Sequence, residues 1–323
     1  MSTRWLITGG AGFIGSNLVR HVLDRDADAV VTNLDLLTYA GVEATVAELD
    51  QIERHTFVRG DVRDVEVVDR LMKDADLVVH CAAETHVDRS ITGPVGFLDT
   101  NVVGTGVVVD SARRHGVPRF VHVSTDEVYG SLAVGFASEG HRLDPSSPYS
   151  ASKAGADLLV ASYARTFGYP AIVTRCTNNF GPYQHPEKVI PRFVTNLLEG
   201  DKVPLYGDGG HERDWLHVGD HCRALALVAR EGTPGEIYNI GADNHLTNLE
   251  LTRRILAALG EDESMIEHVP DRPGHDRRYA VDSSKVRALG WRPEHDFTEH
   301  LESTIDWYRR RRDWWEPLRG ASR

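Results

Sequence analysis

Tyr149 and Lys153 stand four positions apart in the run Tyr149-Ser150-Ala151-Ser152-Lys153, a spacing that puts a phenol and an ammonium on one face of a helix. A free phenol is too weak an acid to serve as a base near neutral pH, but a neighbouring cation lowers its pKa toward the working range. Such a pair can take the proton from an alcohol while a hydride leaves the same carbon. Ser124 and Thr125 end a β-branched run upstream, and the Thr125 hydroxyl can steady that alcohol. Asp126 and Glu127 follow at once. Two adjacent carboxylates at a strand end are ordinarily a solvated turn; in a shared cavity they repel, one pKa rises, and the pair can serve as acid and base. A ketone left by hydride removal acidifies the adjacent C–H. Glu127 can then take that proton while Asp126 protonates a departing hydroxyl, and the alkene so formed can take the hydride back.

A hydride needs an acceptor. Thr8-Gly9-Gly10-Ala11-Gly12-Phe13-Ile14-Gly15 forms a GxxGxxG turn between a strand and a helix. Glycine permits the tight turn, and free N–H groups at the helix start receive a pyrophosphate. Asp35 lies twenty positions beyond Gly15 at the end of the second strand, where a carboxylate accepts from a ribose 2′-hydroxyl and repels a 2′-phosphate. This predicts NAD rather than NADP. Asp61, with Val62 beside it, follows the third strand where an adenine contact would sit, although Asp61 also reads as a turn residue in Arg59-Gly60-Asp61. Ala82 and Ala83 follow the fourth strand and are small enough for a cofactor to pass, or for ordinary packing.

These residues need a scaffold. The first 175 residues alternate β-branched runs with helical patterns, as repeated βαβ units do. Strands are predicted at Arg4–Thr8, Val30–Leu34, Thr56–Val58, Leu77–Cys81, Phe120–Ser124 and Ala171–Arg175. Near-continuous apolar runs such as Leu77-Val78-Val79 mark strands buried on both faces. The fold class is therefore α/β, a doubly wound parallel sheet of the Rossmann type. Beyond it the pattern breaks into Gly- and Pro-rich loops, with helices predicted near Lys188–Glu199, Asp220–Glu231, Asn248–Leu259 and Phe297–Arg311, and strands at Ile237–Ile240 and Tyr279–Val281. This predicts a smaller mixed α/β lobe: residues 1–176 for the cofactor, 177–323 mainly for the substrate.

At 323 residues the chain can bury a large core. A net charge of −12 argues against binding polymeric nucleic acid through the overall field. A small anionic ligand would need local cations, and Lys188, Arg213, Arg272, Arg277 and Arg278 are available. The run Arg309 to Arg312 follows an amphipathic stretch and reads as a helix C-terminus, where cations offset the dipole. Cys81, Cys176 and Cys222 are too few and too far apart to suggest disulfides or a zinc site, so no metal is expected. No apolar run approaches membrane-spanning length, and the first residues run straight into a strand pattern, so a soluble cytoplasmic protein is expected.

Six segments in order, AAETHVDRSI at 82–91, STDEVYG at 124–130, YSASK, NNFGPYQHPEKVIP at 178–191, YGDGGHERDWLHVGDH at 206–221 and RPGHDRRYAVD at 272–282, resemble the dTDP-glucose 4,6-dehydratases, extended short-chain dehydrogenase/reductases. The resemblance covers nearly the whole chain. It implies NAD as cofactor and a nucleoside-diphosphate glucose, dTDP-glucose above all, as substrate. Tyr149 then resembles the oxidation base, Lys153 its partner, Thr125 a substrate hydroxyl contact, and Asp126 and Glu127 the dehydration acid and base. Thr85 and Asn178 resemble substrate contacts, and Thr100 and Asn179 cofactor-side contacts. Lys188, Val189, Pro204, Tyr206, Arg213, Asn248, Arg272 and His275 fall where that family grips the nucleotide and diphosphate. Leu36 stands where relatives often carry lysine, and the loop between Tyr129 and Tyr149 is shorter than in some bacterial members. The resemblance also implies a homodimer joined by helices, here the stretches around Thr100–Arg113 and Tyr149–Phe167. A nucleotide-sugar 4-epimerase or uronate decarboxylase on the same scaffold is the alternative enzyme, and a non-catalytic dinucleotide sensor the alternative of another class.

Overall fold

The computed structural model describes residues 2–320. β1 (Arg4–Thr8), β2 (Val30–Asp35), β3 (His55–Arg59), β4 (Leu77–His80), β5 (Phe120–Thr125) and β6 (Ala171–Cys176) match the predicted runs to within one residue at each end. Later in the chain come β7 (Asn178–Phe180), β8 (Val203–Tyr206), β9 (Glu212–His217), β10 (Ile237–Ile240), β11 (His245–Thr247) and β12 (Ile266–Val269). Seven of these form one parallel sheet in the order β3-β2-β1-β4-β5-β6-β10. The order reverses between β1 and β4, the crevice where open α/β sheets receive ligands.

Period-2 alternation sends successive strand residues to opposite faces. Trp5, Ile7, Val79, Val121 and Ile172 pack on one face with Leu18 and Val22 of the helix Phe13–Arg25 and Leu225 and Val228 of the helix Val218–Glu231. Leu6, Val78, Phe120 and Val173 pack on the other with Val68, Val108, Val109 and Val160, carried by the helices Val65–Met72, Thr105–Arg114 and Pro148–Phe167. Both faces are thus covered, as the apolar runs require.

The expected division at residue 176 does not follow the sheet. After β6 the chain leaves, then returns with the helix Val218–Glu231 and with β10, which pairs with β6 as the seventh strand. The physical reason is an open edge: without β10, the backbone of β6 would be unpaired on one side. The smaller lobe is built from β11-β9-β7, the β12–β8 pair and the helices Val189–Leu198, Asn248–Leu259 and Phe297–Arg310 around Phe193, Trp215, Ile255, Ile305 and Tyr308. The strand predicted at Tyr279–Val281 is absent. That stretch makes only isolated bridges, Arg278 with Glu212 at the start of β9 and Val281 with Ala137 in a loop, because it passes from the end of one strand to a loop rather than along a partner strand. The basic run behaves as a helix end: Arg309 pairs with Asp306 at 2.9 Å and Arg311 with Glu48 at 2.6 Å.

Candidate active site

Two adjoining cavities, of about 630 and 190 Å³, open at the C-terminal ends of the parallel strands and share Thr85, Glu127, Asn178, Glu187 and Lys188 in their walls. The larger begins at the glycine turn. Gly9 has φ of 73°, and a Cβ there would lie 2.7 Å from the Ala82 backbone. At Gly15 it would lie 2.2 Å from the Gly9 carbonyl oxygen. Gly12 caps the helix Phe13–Arg25, whose first turn carries Phe13 and Ile14 at the cavity wall. This cradle exists only for glycine, and its free N–H groups suit a pyrophosphate. Asp35 accepts from the amides of Ala11 at 3.0 Å and Leu37 at 2.8 Å, which orients its carboxylate into the cavity mouth. Asp61 forms an ion pair with Arg63 at 2.6 Å while lining the same cavity with Val62, so its turn and wall readings coexist. Ala82, Ala83, Thr100 and Asn179 complete this wall.

The chemistry-bearing residues meet deeper in. Thr125 ends β5, and Asp126 and Glu127 open a single 3-10 turn held by the bond from the Glu127 amide to Thr125 Oγ1, at 3.3 Å. The helix Pro148–Phe167 starts at a reciprocal Ser147–Ser150 capping box with Pro148 in its first turn, which fixes the backbone beside Tyr149. Thr125, Asp126, Glu127, Tyr149 and Lys153 all line the larger cavity. Asp126 is 2% exposed, and its Oδ2 has no hydrogen-bond partner among the described residues. Burial, then Glu127, push the Asp126 carboxyl well above the usual carboxylate range. Burial raises Glu127 as well, but Arg272, Arg213 and Lys188 draw it back. The two carboxyls thus sit in different electrostatic surroundings although they are adjacent in sequence.

Lys153 departs from the expected pairing. Its Nζ donates to the Val123 carbonyl at 2.8 Å and lies 3.5 Å from His122 Nε2. Tyr149 is pushed up, by burial first and Glu127 next, and the Thr125 hydroxyl is what draws it down. Helical spacing puts the phenol and the ammonium on one face, and strand β5 competes for the ammonium through the Val123 carbonyl.

The smaller cavity takes the remaining expected residues: Val189, Pro204, Tyr206, Arg213, Asn248, Arg272 and His275 line it with Lys188. Lys188 and Arg213 are held chiefly by backbone carbonyls. Lys188 Nζ donates to the Thr85 carbonyl at 3.0 Å, and Arg213 donates to the Glu212 and Asp276 carbonyls at 2.7 and 2.8 Å, with its guanidinium 4.2 Å over the Tyr279 ring. Arg272 and Tyr206 converge on Asp88 at 3.3 and 3.1 Å. Arg277 and Arg278 do not join them, because outward ion pairs with Asp208 and Glu212 claim both. Sequence reasoning missed Glu187 and Tyr279. Glu187 is buried between the cavities, 3.8 Å from Arg89 and 4.0 Å from Lys188; its place beside Lys188 in the segment 178–191 was the available signal. Tyr279 lies in the segment 272–282 with Arg272 and His275, but only the fold brings it under Arg213.

A family model described as GDP-mannose 4,6 dehydratase matches residues 6–304. The dTDP-glucose 4,6-dehydratase of Streptomyces antibioticus is 56% identical over 97% of this chain and 95% of its own. The crystal structure of the dTDP-glucose 4,6-dehydratase of Streptomyces venezuelae, solved with NAD bound, superposes with a TM-score of 0.95 at 53% identity, covering 98% of this chain and all of that one. The UDP-glucose 4-epimerase of Thermus thermophilus, also solved with NAD, is more distant at 33% identity, with a TM-score of 0.88 over 95% of this chain and 99% of its own. With a family model spanning most of its length and dehydratase relatives above half identity, the chain belongs to the nucleotide-sugar 4,6-dehydratase family.

Proposed function

We propose that this protein dehydrates dTDP-glucose to its 4-keto-6-deoxy derivative. NAD, when bound, supplies the hydride acceptor and donor; the glycine cradle, Asp35 and the wall at Ala82 and Ala83 suit its pyrophosphate, ribose and passage. Tyr149 takes the proton of the sugar 4-hydroxyl, with Thr125 bonded to the same oxygen. The 4-ketone then acidifies C5. Glu127 removes that proton and Asp126 protonates the departing 6-hydroxyl. Lys188, Arg213 and Arg272 neutralise the diphosphate, and Tyr206, Asn248 and His275 bound the nucleoside end.

The observation that carries this reading is the split between the two carboxyls. Asp126 is buried, raised well above the usual range and free at Oδ2, as a proton donor must be, while Glu127, also raised by burial, is drawn back toward its ionised form by Arg272, Arg213 and Lys188. Incubation with dTDP-glucose followed by alkali tests it: a 4-keto-6-deoxy product develops enone-type ultraviolet absorbance. An epimerised sugar, or no signal with either dTDP- or UDP-glucose, would defeat it. Parallel rates with dTDP-, UDP-, GDP- and CDP-glucose would rank the nucleobases.

We further propose that the enzyme works as a homodimer in the cytoplasm. Val103, Leu158 and Phe167, each more than half exposed, present apolar surface on or beside the two helices expected to pair. All three cysteines are unpaired, which suits a reducing compartment.

A further inference from the structure

A polar row runs through the interior of the seven-stranded sheet. Thr8 on β1, His80 on β4 and His122 on β5 are register partners, and Arg175 on β6 is paired with Asn239 on β10. Thr8 Oγ1 bonds His80 Nδ1 at 2.7 Å, and the His80 and His122 rings lie 5.5 Å apart. Arg175 binds Asp157 at 2.8 Å and the Tyr129 hydroxyl at 2.8 Å, and Tyr129 in turn donates to Asn239 at 2.8 Å. Asp157 lies one helical turn beyond Lys153 on the catalytic helix, its side chain 1% exposed, with Oδ1 3.5 Å from His122 Nε2, the nitrogen that also faces Lys153 Nζ. Burying such an ion pair is costly, and apolar side chains of similar volume often serve stability as well.

From this geometry we infer that Asp157, clamped by Arg175, is a positioning residue that holds the Lys153 ammonium in the cavity wall, with His122 between them. The inference rests on the catalytic reading of Lys153. The groups that act on that ammonium are His80 at the end of β4 and Cys81 just past it, His122 on β5, Cys176 on β6 and Asp157 on its own helix. Burial draws Lys153 down, and Asp157 is the largest influence holding it up. Both histidines are kept neutral by burial, so Asp157, raised by its own burial but drawn down by Arg175, is the dominant counter-charge.

The test is Asp157→Asn, with Asp157→Asn/Arg175→Met as the second variant, since the single change leaves a buried guanidinium unpaired. The ε-13C NMR resonance of Lys153, followed against pH in 13C-lysine-labelled protein, reads the ammonium without needing turnover. Its titration should move to lower pH in whichever variant folds. The alkaline limb of kcat with dTDP-glucose should move the same way, with KM little changed. A Lys153 titration unmoved in a folded variant, with only a lower Tm, would overturn the inference and leave Asp157 a packing residue. Wild-type protein inactive on every nucleotide sugar would instead count against the proposed function, while the NMR result still decides the role of Asp157.

Discussion

At Asp126 and Glu127 the proposed mechanism asks the same functional group for opposite work, and their neighbours do differ. Asp126 must hold a proton to give one, so dehydration should fail as pH rises through its elevated pKa; Glu127 must be ionised, so the acid limb belongs to it. Asp126→Asn should retain cofactor reduction by dTDP-glucose yet lose about 10²–10⁴-fold in kcat for the 4-keto-6-deoxy product; an unaffected kcat would remove Asp126 from the reaction. Tyr149→Ala should abolish turnover while the circular dichroism spectrum stays native, and a harmless substitution there would favour a cofactor sensor. Residue types and short spacings made Thr125, Asp126, Glu127 and Tyr149 legible in the sequence. They could not reveal that Lys153 bonds a strand carbonyl, that Arg277 is drawn outward by Asp208, or that Tyr279 lies beneath Arg213. Those facts depend on which distant segments compete for a side chain.

The elements carry these residues with little slack. The helix Pro148–Phe167 begins one residue before Tyr149, so its cap is also the mount of the proposed base. Ser147→Ala should cost about 1 kcal/mol in denaturant unfolding and lower kcat more than KM, because the first turn frays where Tyr149 sits. Gly15→Ala should fold yet lose NAD affinity, measured by calorimetric titration, since its methyl would press on the Gly9 carbonyl that shapes the cradle. Strand positions were readable because buried parallel strands are near-continuous apolar runs with period-2 sidedness. The placement of Ile237–Ile240 was not: four apolar-leaning residues look alike whether they extend a large sheet or start a small one.

Over the whole molecule, buried histidines work against stability in acid. Burial holds His80, His217 and His221 down to about 3, and His86, His185 and His275 to about 4, against an ordinary 6.5. Each binds its proton more readily when unfolded, so the stability it contributes is complete above pH 6.5 and is lost as pH falls toward those lower values. Tm should therefore drop steeply between about pH 6.5 and 4, and a flat profile would contradict the buried, neutral assignment. The proposed dimer is tested at the same scale: Val103→Asp/Leu158→Asp should halve the mass seen by light scattering, whereas an unchanged mass would place the interface elsewhere. The return of β10 to the large sheet also bears on how this protein can be cut and rebuilt. A fragment ending at residue 176 would expose the flank of β6 and invite strand-to-strand aggregation. A chimera that borrows another relative's sugar specificity must therefore splice two separate inserts, one on each side of 218–240, and leave that segment with its original host.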